Sequence, residues 1–199
     1  MGLIDFALSP FIRRITCVDK SAEALRSLDR LRSSRGVSNI ETVLSDVSDI
    51  RGHWDTCLAV FFGDLESLVT RHLKRCGGAL IAVVHADAQG RLGPEAYHPK
   101  KCLTVSRAVH ALHTLGVSYT LSEHALEYGQ PFETLEDAAA FVRAYSKNPP
   151  GTAVNAYLSE RLEQTSDARF PYYLPNLKRF GVFAIPRDAN MRFVETPEG

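Results

Sequence analysis

Residues 14–25 read RITCVDKSAEAL, and this stretch decides the fold class. A short β-prone run ends in Asp19, and Ser21 then begins a helical pattern with Glu23 in its first turn. An acid at the carboxyl end of a parallel strand lies in the crevice where open α/β sheets bind nucleotides, and there it accepts hydrogen bonds from ribose hydroxyls. The stretch therefore predicts one half of a nucleotide site.

The rest of the chain alternates between strand-like and helix-like segments. Predicted strands cover residues 15–18, 40–44, 56–62, 79–84, the start of 117–128, 170–174 and 180–185. Predicted helices cover residues 2–10, 21–35, 65–75, 102–115, 135–145 and 152–164. Such alternation is typical of βαβ units, and the apolar runs 57–62 and 79–84 indicate strands that are buried on both faces. We predict a Rossmann-like, mostly parallel sheet with helices on both faces and an antiparallel C-terminal edge hairpin.

The pattern breaks define the boundaries of these elements. Gly77 and Gly78 are interpreted as a helix break, and residues 129–132 as a turn. Residues 85–101 form an unusually long loop, which suggests a lid or a substrate loop. We predict one α/β domain over residues 1–186 and a loose tail over residues 187–199.

Composition excludes several kinds of partner. Lys plus Arg and Asp plus Glu each total 23, so no net field favours nucleic acid or an anionic membrane. The chain has no apolar run near the roughly 20 residues of a membrane span and no signal-peptide pattern, and we expect a cytoplasmic protein. The four cysteines are too widely spaced for a disulfide framework or a zinc site; they are Cys17, Cys57, Cys76 and Cys102. His110 and His113 share a helix without a third ligand, so we expect no metal.

Over residues 2–185 the chain resembles class I S-adenosylmethionine-dependent methyltransferases. The similar segments, in chain order, are CVDKSAEAL (17–25), LSDV (44–47), WDTCLAVF (54–61), GGALIAVV (77–84), FETLEDAA (132–139) and LKRFGVFAI (177–185). The resemblance implies that Asp19, with Lys20, binds the ribose of the methyl donor. It implies that Asp46, with Val47, faces the adenine amine.

The resemblance is incomplete at the start of the chain. Members of the family open with a strand and a loop that contains three alternate glycines, and placing Asp19 in register makes Gly2 the last of these. We therefore expect an N-terminally truncated domain that lacks its first central strand, and S-adenosylmethionine binding that is weak or absent. Two strands would lose a neighbour, and we expect them to pair directly or a second subunit to fill the gap as a homodimer.

The candidate substrate side follows the strand at 56–62. The crevice lies beyond the carboxyl ends of parallel strands, which selects Phe62, Gly63, Asp64 and, after the next strand, His85. A histidine there could act as a general base. Structural roles compete with each of these interpretations: Asp19 and Asp64 could cap helices, Asp46 could form a turn, and His85 could simply pack.

The sequence names no catalytic residue. Methyl transfer depends mostly on positioning donor and acceptor, so a missing catalytic signature does not count against it. We expect a methyltransferase that acts on a small molecule, or a truncated remnant of one. The alternative is a catalytically inactive, methyltransferase-like binding or assembly protein, and a nicotinamide-binding Rossmann protein is a third and less favoured interpretation.

Overall fold

The structure, a computed structural model, describes residues 2–87, 92–97 and 103–189. Two compact units make up the chain, an N-terminal unit (Met1–His53) and a C-terminal unit (Trp54–Gly199). The helices are α1 (Leu3–Leu8), α2 (Ala22–Ser34), α3 (Leu65–His72), α4 (Val105–Thr114), α5 (Leu135–Ala144) and α6 (Gly151–Arg161). The strands are β1 (Ile15–Asp19), β2 (Ile40–Leu44), β3 (Trp54–Val60), β4 (Cys76–His85), β5 (Thr120–Glu127), β6 (Gln130–Phe132), β7 (Glu163–Gln164), β8 (Tyr172–Leu174) and β9 (Leu177–Pro186).

The N-terminal unit is one βαβ motif preceded by a short helix. Strands β1 and β2 pair in parallel, from Ile15 opposite Ile40 to Asp19 opposite Leu44. Helix α2 connects them and buries Leu25 and Leu28, two members of its apolar face. The helix begins where the sequence predicts, because the Ser21 hydroxyl accepts a hydrogen bond from the backbone N–H of Ala24.

Gly2 occupies a position that only glycine fits. It lies in the left-handed region with φ +78°, directly before α1. A Cβ atom there would come 2.5 Å from Cδ1 of Leu28, a side chain that belongs to the buried face of α2. The residue therefore allows the chain to enter α1 close against α2.

The C-terminal unit contains a four-stranded mixed sheet in the order β3-β4-β9-β5. Strands β3 and β4 are parallel and are connected through α3, whereas β9 runs antiparallel to both β4 and β5. The predicted fold class is confirmed, but the antiparallel strands at the edge of the sheet, β5 and β9, do not form the predicted hairpin. The connection within that pair is long, because residues 128–176 hold α5, α6 and a second sheet.

That second sheet has three short antiparallel strands in the order β6-β8-β7. It shares a separate small core with α5 and α6, which consists of Phe132, Ala138, Val142, Val154, Leu158 and Leu174. Helix α5 begins at a side-chain cap, where the Thr134 hydroxyl accepts from the backbone N–H of Asp137. An insertion between the last two strands of the main sheet thus folds around its own apolar residues.

Two sequence-based boundaries are wrong. Gly77 and Gly78 belong to β4 instead of ending the preceding helix. They lie beside the irregular register of β3 between Trp54 and Thr56, and a Cβ on Gly78 would come 3.3 Å from the Asp55 carbonyl oxygen. The predicted turn at residues 129–132 contains β6, because Gln130 to Phe132 pair with β8.

The predicted direct pairing across the missing strand is not found. Within the described residues, β1 pairs only with β2, and β3 pairs only with β4. The two strands belong to separate sheets, and each of them has one edge with no strand partner in the described residues.

Some predictions fall outside the described residues. They concern Cys102, residues 88–91 and 98–101 of the predicted loop, and the tail from residue 190. The beginning of the predicted tail is ordered, since the backbone N–H of Arg187 donates to the Gly78 carbonyl and Ala189 is buried. None of the described helices is long and apolar enough to cross a lipid bilayer.

Candidate functional site

Asp19 and Asp46, the two candidate cofactor-binding acids, come to the same end of the N-terminal sheet. Asp19 is the last residue of β1, and Asp46 follows the adjacent parallel strand β2. The backbone N–H of Ser45 donates to the Asp19 carbonyl at 3.1 Å, which holds the two strand ends together. Of the remaining candidates, Gly2 lies directly before α1, and Lys20 and Val47 directly follow the two acids in the chain.

Each of these acids also makes a local hydrogen bond. Oδ1 of Asp19 accepts from the backbone N–H of Ser21 at 2.8 Å, and Oδ1 of Asp46 accepts from that of Ser48 at 2.9 Å. These bonds fix the direction of each carboxylate at its strand end. A carboxylate offers about four acceptor positions, so the bond from Ser21 leaves Asp19 capacity for the hydroxyls of a ribose.

The nearby thiol of Cys17 is not a nucleophile. Its Sγ donates to Oδ1 of Asp5 at 3.0 Å and thereby links β1 to α1. Burial first, and then the hydrogen bond to Asp5, raise the pKa of Cys17 above its ordinary value. The thiol stays protonated at neutral pH, and its role is structural.

At the end of β3 the backbone turns sharply and presents an aromatic ring. Phe61 has φ +51°, a left-handed conformation that is rare for a bulky residue, and its N–H donates to the Val83 carbonyl. The Phe61 ring stacks on that of His85, with 4.3 Å between centroids and 16° between planes. His85 ends β4, so neighbouring parallel strands bring the two rings together.

The stacking continues across the sheet into the antiparallel strands. His85 is opposite Phe180 of β9, which is opposite His124 of β5. The ring of Phe180 meets Phe61 edge-on at 6.2 Å and stacks on His124 at 5.6 Å. We call Phe61, His85, Phe180 and His124 the aromatic row.

Lys178 lies against this row. Its Nζ is 3.9 Å from the Phe61 ring centroid and 5.3 Å from that of Tyr128. Burial lowers the pKa of Lys178 below its ordinary value. No carboxylate pairs with this ammonium in the part of the chain that the structure describes.

The predicted substrate-side residues lie at the edge of this cluster. Phe61 and Phe62 are 37% and 45% exposed, so neither is a buried core residue. Gly63 has φ +76°, and Oδ2 of Asp64 accepts from the backbone N–H of Ser67 as the cap of α3. Of these candidates, the structure places only His85 within the aromatic row.

Sequence reasoning missed Lys178, Phe180, His124 and Tyr128. Lys178 and Phe180 are two apart on one strand and therefore share a face, which is a signal the sequence does carry. Their position beside His85 depends on the antiparallel register of β9, which no local pattern specifies. A cluster of three or more histidine, cysteine or acidic residues that could hold a metal ion is absent from the described ranges.

The chain shares its Rossmann-like fold with solved structures that include a candidate methyltransferase. The chain is similar to the YcgJ protein from Bacillus subtilis, with 13% identity, a TM-score of 0.56, and coverage of 94% of this chain and 88% of that one. It is similar to a candidate methyltransferase from Bacillus halodurans C-125, with 12% identity, a TM-score of 0.54, and coverage of 94% and 88%. It is also similar to the precorrin 8w decarboxylase from Methanobacterium thermoautotrophicum, with 12% identity, a TM-score of 0.52, and coverage of 92% and 75%. No family model and no curated protein matches the sequence.

At identities this low, the comparisons establish the fold only. The predicted Rossmann-like architecture and the resemblance to class I methyltransferases are thus confirmed at the level of the fold. A methyltransferase and a decarboxylase both occur among these neighbours, so the reaction has to be argued from the residues of this chain.

Proposed function

We propose that the protein is an S-adenosylmethionine-dependent methyltransferase with a small-molecule acceptor. The observation that carries the proposal is the pair of acids at the ends of adjacent parallel strands, Asp19 on β1 and Asp46 after β2. In this role Asp19 accepts hydrogen bonds from the ribose hydroxyls, and Asp46 accepts one from the exocyclic amine of adenine. Lys20 and Val47 contact the adenosine from the same strand ends.

The acceptor candidates in this proposal are residues of the C-terminal unit. Its candidates are the aromatic row and the residues that follow β3, namely Phe62, Gly63 and Asp64. Methyl transfer requires the acceptor atom to be held in line with the sulfonium, which packing against rigid side chains can achieve. The free thiols Cys17, Cys57 and Cys76 favour a reducing compartment, and we place the reaction in the cytoplasm.

One observation favours the competing function, an inactive binding or assembly protein. The local bonds from Ser21 and Ser48 give both acids a structural role that needs no ligand. If these bonds were the whole purpose of the acids, replacing either acid would change stability alone.

Titration with S-adenosylmethionine distinguishes the methyltransferase, which binds this donor, from the inactive binding or assembly protein, which does not need to. Nuclear magnetic resonance detects even millimolar binding through shifts of the backbone amides near Asp19 and Asp46. We expect such shifts for wild type and for Glu23→Gln, whose side chain lies on α2, and weaker ones for Asp19→Asn. A dissociation constant of about 5 mM corresponds to a binding free energy on the order of −3 kcal/mol. If the wild-type spectrum does not change at that donor concentration, the inactive binding protein is the better description.

A further inference from the structure

Lys178 is the most unusual charge in the C-terminal unit. It is partly buried, and its ammonium contacts the faces of two aromatic rings, Phe61 and Tyr128. Taking an ammonium out of water costs free energy that a carboxylate partner usually offsets. Among the described residues Lys178 forms no ion pair, so no carboxylate offsets the desolvation free energy of its ammonium there.

The neighbouring acid is already engaged elsewhere. Glu127 ends β5, beside the residue that pairs with Lys178. Its Oε1 accepts from the Tyr173 hydroxyl and from the backbone N–H of Asn176, both at 2.9 Å. Among the described residues, no carboxylate therefore competes with an external anion for the ammonium of Lys178.

The rings around Lys178 offer surface to a flat ligand. Phe61 is 37% exposed and Tyr128 is 55% exposed, although both are large apolar groups. Phe61 is held in a strained backbone conformation by its bond to Val83 and by its stack on His85. Strain of this kind costs about 1–3 kcal/mol and is common at ligand sites, where it fixes a side chain in place.

We propose that Lys178 and the exposed rings of Phe61 and Tyr128 bind a planar, conjugated organic carboxylate. Its carboxylate pairs with Nζ of Lys178, and its ring system packs against the exposed edge of Phe61 and the exposed ring of Tyr128. Aromatic stacking selects flat molecules over saturated ones, and the unpaired ammonium selects anions over neutral molecules. This proposal rests on the proposed function and names the chemical class of its acceptor.

The test uses the full chain with three matched probes and no methyl donor. 2-Naphthoate is the flat anion, decahydro-2-naphthoate is its saturated counterpart, and 2-naphthamide is its uncharged counterpart. We expect calorimetric titration to show binding of 2-naphthoate and at least about tenfold weaker binding of the other two, since a charge-assisted hydrogen bond changes affinity by about tenfold or more.

Variants locate the site. Lys178→Met keeps the aliphatic stem and removes the charge, and we expect it to weaken 2-naphthoate binding about tenfold or more. Lys178→Arg should keep most of the affinity, and Lys147→Met, which removes an exposed lysine of the same unit, should leave it unchanged. Ring-current shifts of the His85 and His124 imidazole protons should accompany binding, because both rings lie in the aromatic row.

The contrary results are equally specific. Equal affinity of wild type and Lys178→Met for 2-naphthoate, or no binding to wild type at millimolar concentration, would overturn the proposal. Equal affinities of the wild-type protein for 2-naphthoate and decahydro-2-naphthoate would show that the site does not select planar, conjugated ligands. The 2-naphthoate titration contains no methyl donor, so its failure would not change the outcome of the S-adenosylmethionine titration. Equally, a protein that does not bind the donor could still bind 2-naphthoate.

Discussion

The hydroxyl of Tyr173 donates a hydrogen bond to Oε1 of Glu127 at 2.9 Å and so joins the small sheet to the main one. Tyr173 lies in β8, and Glu127 is the last residue of the edge strand β5. The backbone N–H of Asn176, just before β9, donates to the same oxygen. One carboxylate thus fixes both ends of the insertion that separates β5 from β9.

The hydrogen bond between Tyr173 and Glu127 should make the stability of the protein depend on pH in the acid range. The N–H of Asn176 and the hydroxyl of Tyr173 lower the pKa of Glu127 below its ordinary value of 4.5. A depressed pKa in the folded state contributes stability that is fully present above pH 4.5 and is lost as pH falls through the folded-state pKa. We expect Tyr173→Phe to lower the thermal midpoint at pH 7, and the difference from wild type to narrow near pH 3.

The control for this experiment is Tyr145→Phe. Tyr145 is exposed, its ring packs on Phe141, and no hydrogen bond of its hydroxyl is recorded within the described residues. Its midpoint should match that of wild type at both pH values. A Tyr173→Phe difference that stays constant with pH would show that Glu127 does not carry the effect.

Gly181 is predicted to be intolerant of a side chain. It lies in β9, where a Cβ would come 2.7 Å from Cγ2 of Val105 on α4 and 3.1 Å from Cδ1 of Leu121 on β5. Gly181→Ala should lower the free energy of unfolding by about 1–3 kcal/mol through overpacking. Gly151→Ala is the matched control, because a Cβ there meets nothing within 4 Å, and urea denaturation should show it neutral or slightly stabilising.

Asp64 should stabilise the start of α3. Its Oδ2 accepts from the backbone N–H of Ser67, so Asp64→Ala should cost about 0.5–2 kcal/mol in chemical denaturation. Asp64→Asn keeps an acceptor at the same position and should cost little. If Asp64→Asn instead lost methyl transfer at unchanged stability, the carboxylate would belong to the substrate side.

In any form of the protein that binds the methyl donor, Asp19 should contribute more to donor affinity than Glu23 does. Asp19 ends β1 at the strand tip, whereas Glu23 lies in the first turn of α2. A carboxylate–hydroxyl pair contributes on the order of 1.5–3 kcal/mol, so Asp19→Ala should weaken binding about tenfold or more by calorimetry. Equal donor affinities of wild type and Asp19→Ala would remove Asp19 from the site.

A homodimer remains our proposal for the unpaired strand edges. One edge of β1 and one edge of β3 have no strand partner within the described residues. Exposed edges recruit further strands, and a second copy of the chain is one source. Sedimentation equilibrium should then show a dimer that dissociates on dilution, whereas a monomer at all concentrations would exclude this pairing.

Local patterns predicted most of the elements, because caps and apolar spacing act over a few residues. The caps Ser21, Asp64 and Thr134 each accept the expected backbone hydrogen bond. The same local reasoning misplaced Gly77 and Gly78, whose neighbour is the Asp55 backbone of another strand. Short-range signals cannot report a contact made across the sheet.

In the candidate site, too, local sequence predicts some residues, and contacts across the sheet determine others. Asp19 was selected because it lies at the end of a recognisable strand, and Asp46 was selected through the resemblance of residues 44–47 to a family motif. Lys178 was missed because its significance lies in what it contacts, Phe61 and Tyr128, which come from far earlier in the chain. An antiparallel register between β9 and its neighbours brings these residues together, and register is a property of the assembled sheet.

The central position of β9 also constrains how the protein is made. This strand pairs with both β4 and β5, yet residues 177–186 are synthesised after every other strand of the main sheet. Until they leave the ribosome, β5 has no sheet partner and β4 has one open edge. Closing such long-range pairs is slow, and open edges are prone to aggregate meanwhile. A nascent chain that stalls before residue 177 should therefore depend on chaperones until synthesis resumes.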